Sequence, residues 1–235
     1  MTAAHPATCA TVGRSPSSGH AASSAIIGCN CANIAVRVDP ITLEVVKNAL
    51  SSLADEMALV IMRSAYSNIV RDSMDYSTAV CDYRGRTVAQ GLTNPVHLGS
   101  FPDAMRRLVE LHGAGMREGD VFILNDPYDG GTHLPDIALV APVFHEGRAV
   151  AFTACMAHWQ DIGGILNGVT TDIYAEGLQI PLVKYHRQGV LNEEMRELIL
   201  MNVRRRDRAA GDLEAQLSAC RVGARHMQDM LERYG

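Results

Sequence analysis

Two apolar runs around a single turn constrain this chain more than any other feature. Ile137 to Phe144 and Arg148 to His158 flank Glu146-Gly147, a pattern that predicts an antiparallel hairpin. His133-x-x-Asp136 precedes the hairpin and His158-x-x-Asp161 follows it. With Glu146-Gly147 as a two-residue turn, Pro135 faces His158 and His133 faces Gln160. Cross-strand neighbours lie within ~5 Å and diagonal ones within ~8 Å, so the hairpin returns His158 to the mouth that holds His133 and Asp136. Strict alternation puts His133 and His158 on one face and Asp136 on the other. Pro135 cannot donate to the ladder and is expected to break that alternation.

Two imidazoles and a carboxylate form a donor set for zinc or another first-row divalent ion, with a position left open for water or substrate. The alternative is that these side chains bond loop backbone at strand ends. Further polar groups are placed to serve the same mouth. Asp126 leaves the short apolar run Val121–Leu124 into a glycine-rich loop, Asp75 precedes a first hairpin, and His97 sits in a polar loop. Each is a candidate general base, and each is equally suited to a turn or a cap. Cys155 lies inside an apolar strand, where a thiol is usually a small core residue. No G-x-x-x-x-G-K-[ST] loop is present, so ATP is not held through that motif, and the Rossmann fingerprint is absent too.

The remaining segments read as scaffold. Asp39 suits an N-cap and Pro40 a first helical position. Ile41, Val45, Ala49, Leu53, Met57 and Ile61 then recur at helical spacing, predicting one long helix over residues 40–65. Ser77–Asp82 and Thr87–Gln90 predict the first hairpin, and Pro102–His112 a short helix stopped by Gly113. Residues 159–190 read as loop-rich. From Asn192 the chain reads as helical, with Gly211 a candidate break. The fold class expected is α+β: β-hairpins or a mixed sheet packed with a long N-terminal helix and C-terminal helices.

Composition bounds the function. The 235 residues carry a net charge of -5, which offers nucleic acid and anionic membranes no bulk attraction. Arg204-Arg205-Arg206 is followed by Asp207 and Asp212 and reads as a solvated helix face. No apolar window approaches the ~18 residues of a membrane helix. Six scattered cysteines in a chain of this length call for no disulfide framework, so a cytoplasmic setting is expected; Cys29-x-Cys31 is half a metal motif and reads as incidental. Residues 1–38 contain no Asp or Glu and sustain no period, and read as a disordered leader or a mis-called start.

Several strings together resemble the hydantoinase B/oxoprolinase family over residues 39–235. They include Asp75-Tyr-Ser, Pro95-Val-His-Leu-Gly-Ser, Asn125-Asp-Pro-Tyr, Gly130-Gly-Thr-His-Leu-Pro-Asp-Ile, Asp161-Ile-Gly-Gly and Tyr174-x-Glu-Gly-Leu. The resemblance implies a B-type subunit of an ATP-dependent enzyme opening a cyclic amide such as a hydantoin, 5-oxoproline or a lactam. A hydantoinase A-like partner would use the ATP. A ketone carboxylase subunit, handling a ketone and bicarbonate, and a non-catalytic scaffold for the A-like partner are the alternatives. Carried over residue by residue, His133, Asp136 and His158 would ligate zinc or manganese, with Asp75, His97, Asp126 and Asp161 as catalytic candidates. The resemblance also implies a longer B region, so the domain is expected to be incomplete. Its C-terminal helices are then expected to expose an apolar stripe, with Val203, Leu213, Leu217, Val222 and Met230 as candidates.

Residues 1–38 lack the apolar face needed to offset the entropy of ordering. Deleting them is expected to leave the thermal midpoint in place. A fall of more than ~4 °C, about the shift that 1 kcal/mol produces in a domain of this size, would show that they pack on the body.

Overall fold

The computed structural model describes residues 39–165 and 169–234. The leader expected over residues 1–38 lies outside the described residues. Helix α1, Pro40–Ser64, opens as its sequence predicts: the Asp39 carboxylate accepts the Thr42 amide at 3.0 Å. A short turn, α2 (Asn68–Arg71), leads to the hairpin β1 (Tyr76–Asp82) and β2 (Thr87–Gln90). Helix α3 spans Phe101–His112 and strand β3 Val121–Leu124. The long hairpin is β4 (Asp136–His145) and β5 (Arg148–His158). The short turn α4 (Ile173–Glu176), strands β6 (Val183–Arg187) and β7 (Val190–Leu191), and helices α5 (Glu193–Met201) and α6 (Arg206–Tyr234) complete the described chain.

All seven strands form one antiparallel sheet in the order β2-β1-β5-β4-β3-β6-β7. Its two faces carry separate cores. On one face, Leu53, Met57 and Ile61 of α1 and Leu213, Leu217 and Cys220 of α6 join Ile137, Leu139, Cys155 and Ala157 of the central strands. On the other, Phe101, Met105 and Leu108 of α3 meet Phe122, Leu124, Val140, Phe152 and Met156. Successive strand residues point to opposite faces, so strands covered on both sides read as unbroken apolar runs. That is why β4 and β5 stand out in the sequence.

Three expectations are corrected. Residues 159–190 contain a strand, β6, which pairs with β3; its Val-Lys-Tyr-His-Arg sequence carries no apolar run that would mark it. The C-terminal helix does not break at Gly211. The break falls at Asn202–Arg205, between α5 and α6. Gly211 sits inside α6 because a Cβ there would lie 2.2 Å from the Tyr66 ring; the glycine permits close approach rather than ending the helix. The expected exposed stripe is largely interior: Val203, Leu213 and Leu217 are buried, while Val222 and Met230 are half-buried. The sheet itself is the partner that α6 covers. A buried glutamine fastens the two, since the Gln216 side chain donates to the Ile137 carbonyl at 2.7 Å and accepts from the Trp159 indole at 3.0 Å.

This packing makes Leu213 a core residue. Leu213→Ala is expected to cost about 2–5 kcal/mol in equilibrium urea unfolding. A change within ~0.5 kcal/mol, the range of surface substitutions, would return it to the surface.

Candidate metal centre

The centre starts from a register. Asp136, the first residue of β4, pairs directly with His158, the last of β5. On the other side of β5, the His158 amide donates to the Asp75 carbonyl at 2.9 Å, one step beyond the Tyr76–Ala157 pair. Asp75, His158 and Asp136 therefore stand side by side at one end of three adjacent strands. The pairing of Pro135 with His158 expected from a two-residue turn is corrected, and Asp136 does not take the far face that strict alternation would give it. The turn at Glu146-Gly147 is as expected, with positive φ at both residues. The register then shifts by one between Val143 and Phe144: Phe144 pairs with Ala149 and Val143 with Ala151, leaving Val150 as the extra residue of a bulge. Directly opposed residues share a face, so the bulge puts Asp136 and His158 together on the α3 side.

Three imidazoles then meet one carboxylate. His133 Nδ1 lies 2.5 Å from Asp136 Oδ2, His158 Nδ1 lies 3.1 Å from Oδ1, and His97 Nε2 lies 3.2 Å from Oδ1. The Thr132 hydroxyl also donates to Oδ2. The rings of His133 and His158 are 5.0 Å apart. Asp136 is 1% exposed. Burial pushes its carboxyl pKa up, but the bonds from His133, His158, His97 and Thr132 outweigh this and hold it well below the usual carboxylate range. The Asp136 carboxylate in turn raises the proton affinity of His133. One donor atom each from His133, Asp136 and His158 falls within 4.8 Å of the others, so these three could close on a single cation.

Of the other sequence candidates, two join this cluster. His97 is buried in the loop before α3, with Nδ1 3.2 Å from the Ser77 hydroxyl and Nε2 also 3.9 Å from Asp75 Oδ1. It thus sits between both carboxylates. The other two have hydrogen-bond partners away from the cluster, and for Asp126 that is the cap role its sequence setting equally suits. Asp126 accepts the Tyr128 amide at 2.9 Å and acts as the cap of the Pro127–Asp129 turn. Asp161 accepts from the Gly163 amide and from the Arg204 guanidinium and amide, tying the loop after β5 to the α5–α6 junction.

Sequence reasoning missed Asn125. Its buried side chain donates to the Leu134 carbonyl at 2.7 Å and the Leu178 carbonyl at 2.9 Å, and accepts the Ile180 amide at 2.7 Å. It fastens the His133 loop to residues 178–180. The available signal was an amide side chain directly after four buried apolar residues, where an unpaired polar group is costly.

Known proteins share this arrangement of elements. Residues 39–235 match the hydantoinase B/oxoprolinase family, and the chain belongs to it. Caprolactamase subunit beta of Pseudomonas jessenii is 42% identical over 202 residues, covering 84% of this chain and 35% of the relative. The crystal structure of the ATP-dependent caprolactamase from that organism superposes with a TM-score of 0.78 at 41% identity, with 84% of this chain and 35% of that chain covered. The 5-oxoprolinase of Dictyostelium discoideum is 34% identical over 206 residues, covering 86% of this chain and 16% of the relative. A nucleotide-free acetone carboxylase structure shares the fold, with a TM-score of 0.79 at 19% identity, covering 84% of this chain and 27% of that one. The chain thus spans about a third or less of the length of these proteins.

Asp161 offers a check on the partition between cluster and scaffold. Asp161→Asn is expected to cost about 1.5–3 kcal/mol in equilibrium unfolding, the range for hydrogen bonds to a charged group. The imidazole NMR signals of His133 and His158 should stay in place. Displacement of those signals would tie Asp161 to the cluster after all.

Proposed function

We propose that this chain carries the divalent-metal site of a B-type subunit in an ATP-dependent enzyme that opens a cyclic amide. The reading is supported chiefly by the convergence of His133, Asp136 and His158, one from a loop and two from neighbouring strands, with donor atoms within 4.8 Å. The donor set fits zinc or manganese: two imidazole nitrogens, one buried carboxylate, and an exposed side at His133 where a further ligand has room. His133, Asp136 and His158 would hold the ion, and the chemistry it would supply there is Lewis-acid polarisation of a substrate oxygen or activation of water.

This chain's own residues do the rest. Asp136 anchors the set, because both its oxygens face the cluster and neither reaches solvent. His97 Nε2 bridges the two carboxylates, 3.2 Å from Asp136 Oδ1 and 3.9 Å from Asp75 Oδ1. Asp75, half-buried on the same row, is the carboxylate placed to move a proton at the open side. ATP is handled by a hydantoinase A-like partner, in keeping with the subunit naming of the caprolactamase relative and the lack of a phosphate-cradling loop in the sequence. The substrate is a hydantoin, 5-oxoproline or a lactam. Among the described residues no helix is long and apolar enough to cross a membrane, and Cys81, Cys155 and Cys220 are free thiols; a cytoplasmic setting completes the reading.

Purified protein is expected to carry about one zinc or manganese per chain, and His133→Ala to remove it. Elemental analysis showing no metal, before and after incubation with either ion, would end the metal reading. In an ATP-dependent assay on hydantoin, 5-oxoproline and caprolactam, turnover should require both this chain and an A-like partner. Turnover by either component alone would refute the two-component assignment, and carboxylation of a ketone instead would move the chain to the carboxylase branch.

A further inference from the structure

The Tyr174-x-Glu-Gly-Leu string has no part in the centre described above, yet it reaches the centre. Among the three donor residues, Asp136 and His158 are fixed by the sheet ladder, whereas His133 lies in a loop and its side chain is 47% exposed. What aims its imidazole is the peptide unit between His133 and Leu134. The carbonyl of that unit accepts the Asp136 amide at 2.9 Å. Its N–H donates to Glu176 Oε1 at 3.2 Å. The next carbonyl, of Leu134, is held by Asn125. With Leu134 fully buried, the plane that precedes it has little freedom once both of its polar ends are bonded.

Glu176 is itself well placed to act as a fixed point. It is half-buried at the end of α4. The Ala175 carbonyl beside it accepts the Ile165 amide at 2.9 Å, and the Leu178 amide donates to the Ile162 carbonyl at 2.8 Å. Both anchors lie in the loop that follows His158. Glu176 therefore links the loop after one imidazole to the loop carrying the other.

We propose that Glu176 is a positioning residue of the metal centre, holding the His133–Leu134 peptide so that the His133 imidazole faces a cation beside Asp136 and His158. The proposal rests on the metal reading above. It acts through the hydrogen-bond acceptor that the Leu134 amide meets, which a glutamine carbonyl also supplies, so glutamine can replace glutamate and alanine cannot. Outer partners of metal ligands are commonly needed for full affinity, and their loss costs about 10- to 100-fold.

The test compares wild type, Glu176→Gln and Glu176→Ala as full chains. Zinc affinity is measured by competition with a chromophoric chelator, and Leu134 amide exchange and the thermal midpoint are measured on metal-free protein. Glu176→Ala is expected to bind zinc about 10- to 100-fold more weakly and to speed Leu134 amide exchange. Its metal-free midpoint should match wild type. Glu176→Gln should match wild type in all three. The proposal is overturned by wild-type zinc affinity and Leu134 exchange in Glu176→Ala, by Glu176→Gln binding as weakly as Glu176→Ala, or by a metal-free midpoint that falls in Glu176→Ala, which would mark a general structural role. Wild-type protein that takes up no zinc would overturn the metal reading and this proposal together, whereas wild-type uptake with an unaffected Glu176→Ala overturns the proposal alone.

Discussion

A carboxylate buried at 1% exposure has to be matched by donors, and Asp136 is the group around which this molecule is arranged. Removing one partner from such a buried pair typically costs about 3–5 kcal/mol, more than a third of the stability of many domains. The partners of Asp136 come from three separate segments: Thr132 and His133 just before β4, His158 at the end of β5, and His97 from the loop leading into α3. Satisfying one charge therefore brings three stretches of chain to one end of the sheet.

The sheet makes that convergence rigid. Its central strands are buried on both faces, with α1 and α6 on one side and α3 on the other. Close packing of this kind resists small displacements, and a site on strand ends inherits the resistance. Asp75, Asp136 and His158 sit where the ladder stops. Loops complete the mouth, and buried or half-buried polar side chains fix them in place: Asn125 beneath the His133 loop, Glu176 across it, and Asp161 where the chain turns toward α6. Polar groups at loop roots thus fix the loops to the sheet, while those at strand ends gather around Asp136.

That division explains why four acidic or imidazole candidates with similar sequence settings met different fates. Asp75 and His97 follow or precede elements whose ends point at Asp136. Asp126 directly precedes a Pro-initiated turn whose first amides need an acceptor, and it supplies one. Asp161 is met by Arg204, a residue more than forty positions away. Nothing local to Asp161 announces that partner.

Much of this was legible in the linear chain. The Asp39-Pro40 start of α1, both hairpins, β3 and the Asn192 cap of α5 follow from local capping, period and turn chemistry, which act over a few residues. The two H-x-x-D segments marked the mouth for the same reason, since a tight turn at Glu146-Gly147 can only bring residues near 135 and 158 together. The tertiary structure alone decided the rest. A bulge at Val150 leaves no side-chain signature, yet its one-residue shift moved Asp136 onto the face of His158. The apolar stripe of α6 has the same composition whether it meets solvent, another chain or this sheet, and only the folded arrangement puts Leu213 and Leu217 inside. Local rules specify what each segment becomes; register and long-range pairing, which depend on the whole sheet closing at once, specify which groups finally touch.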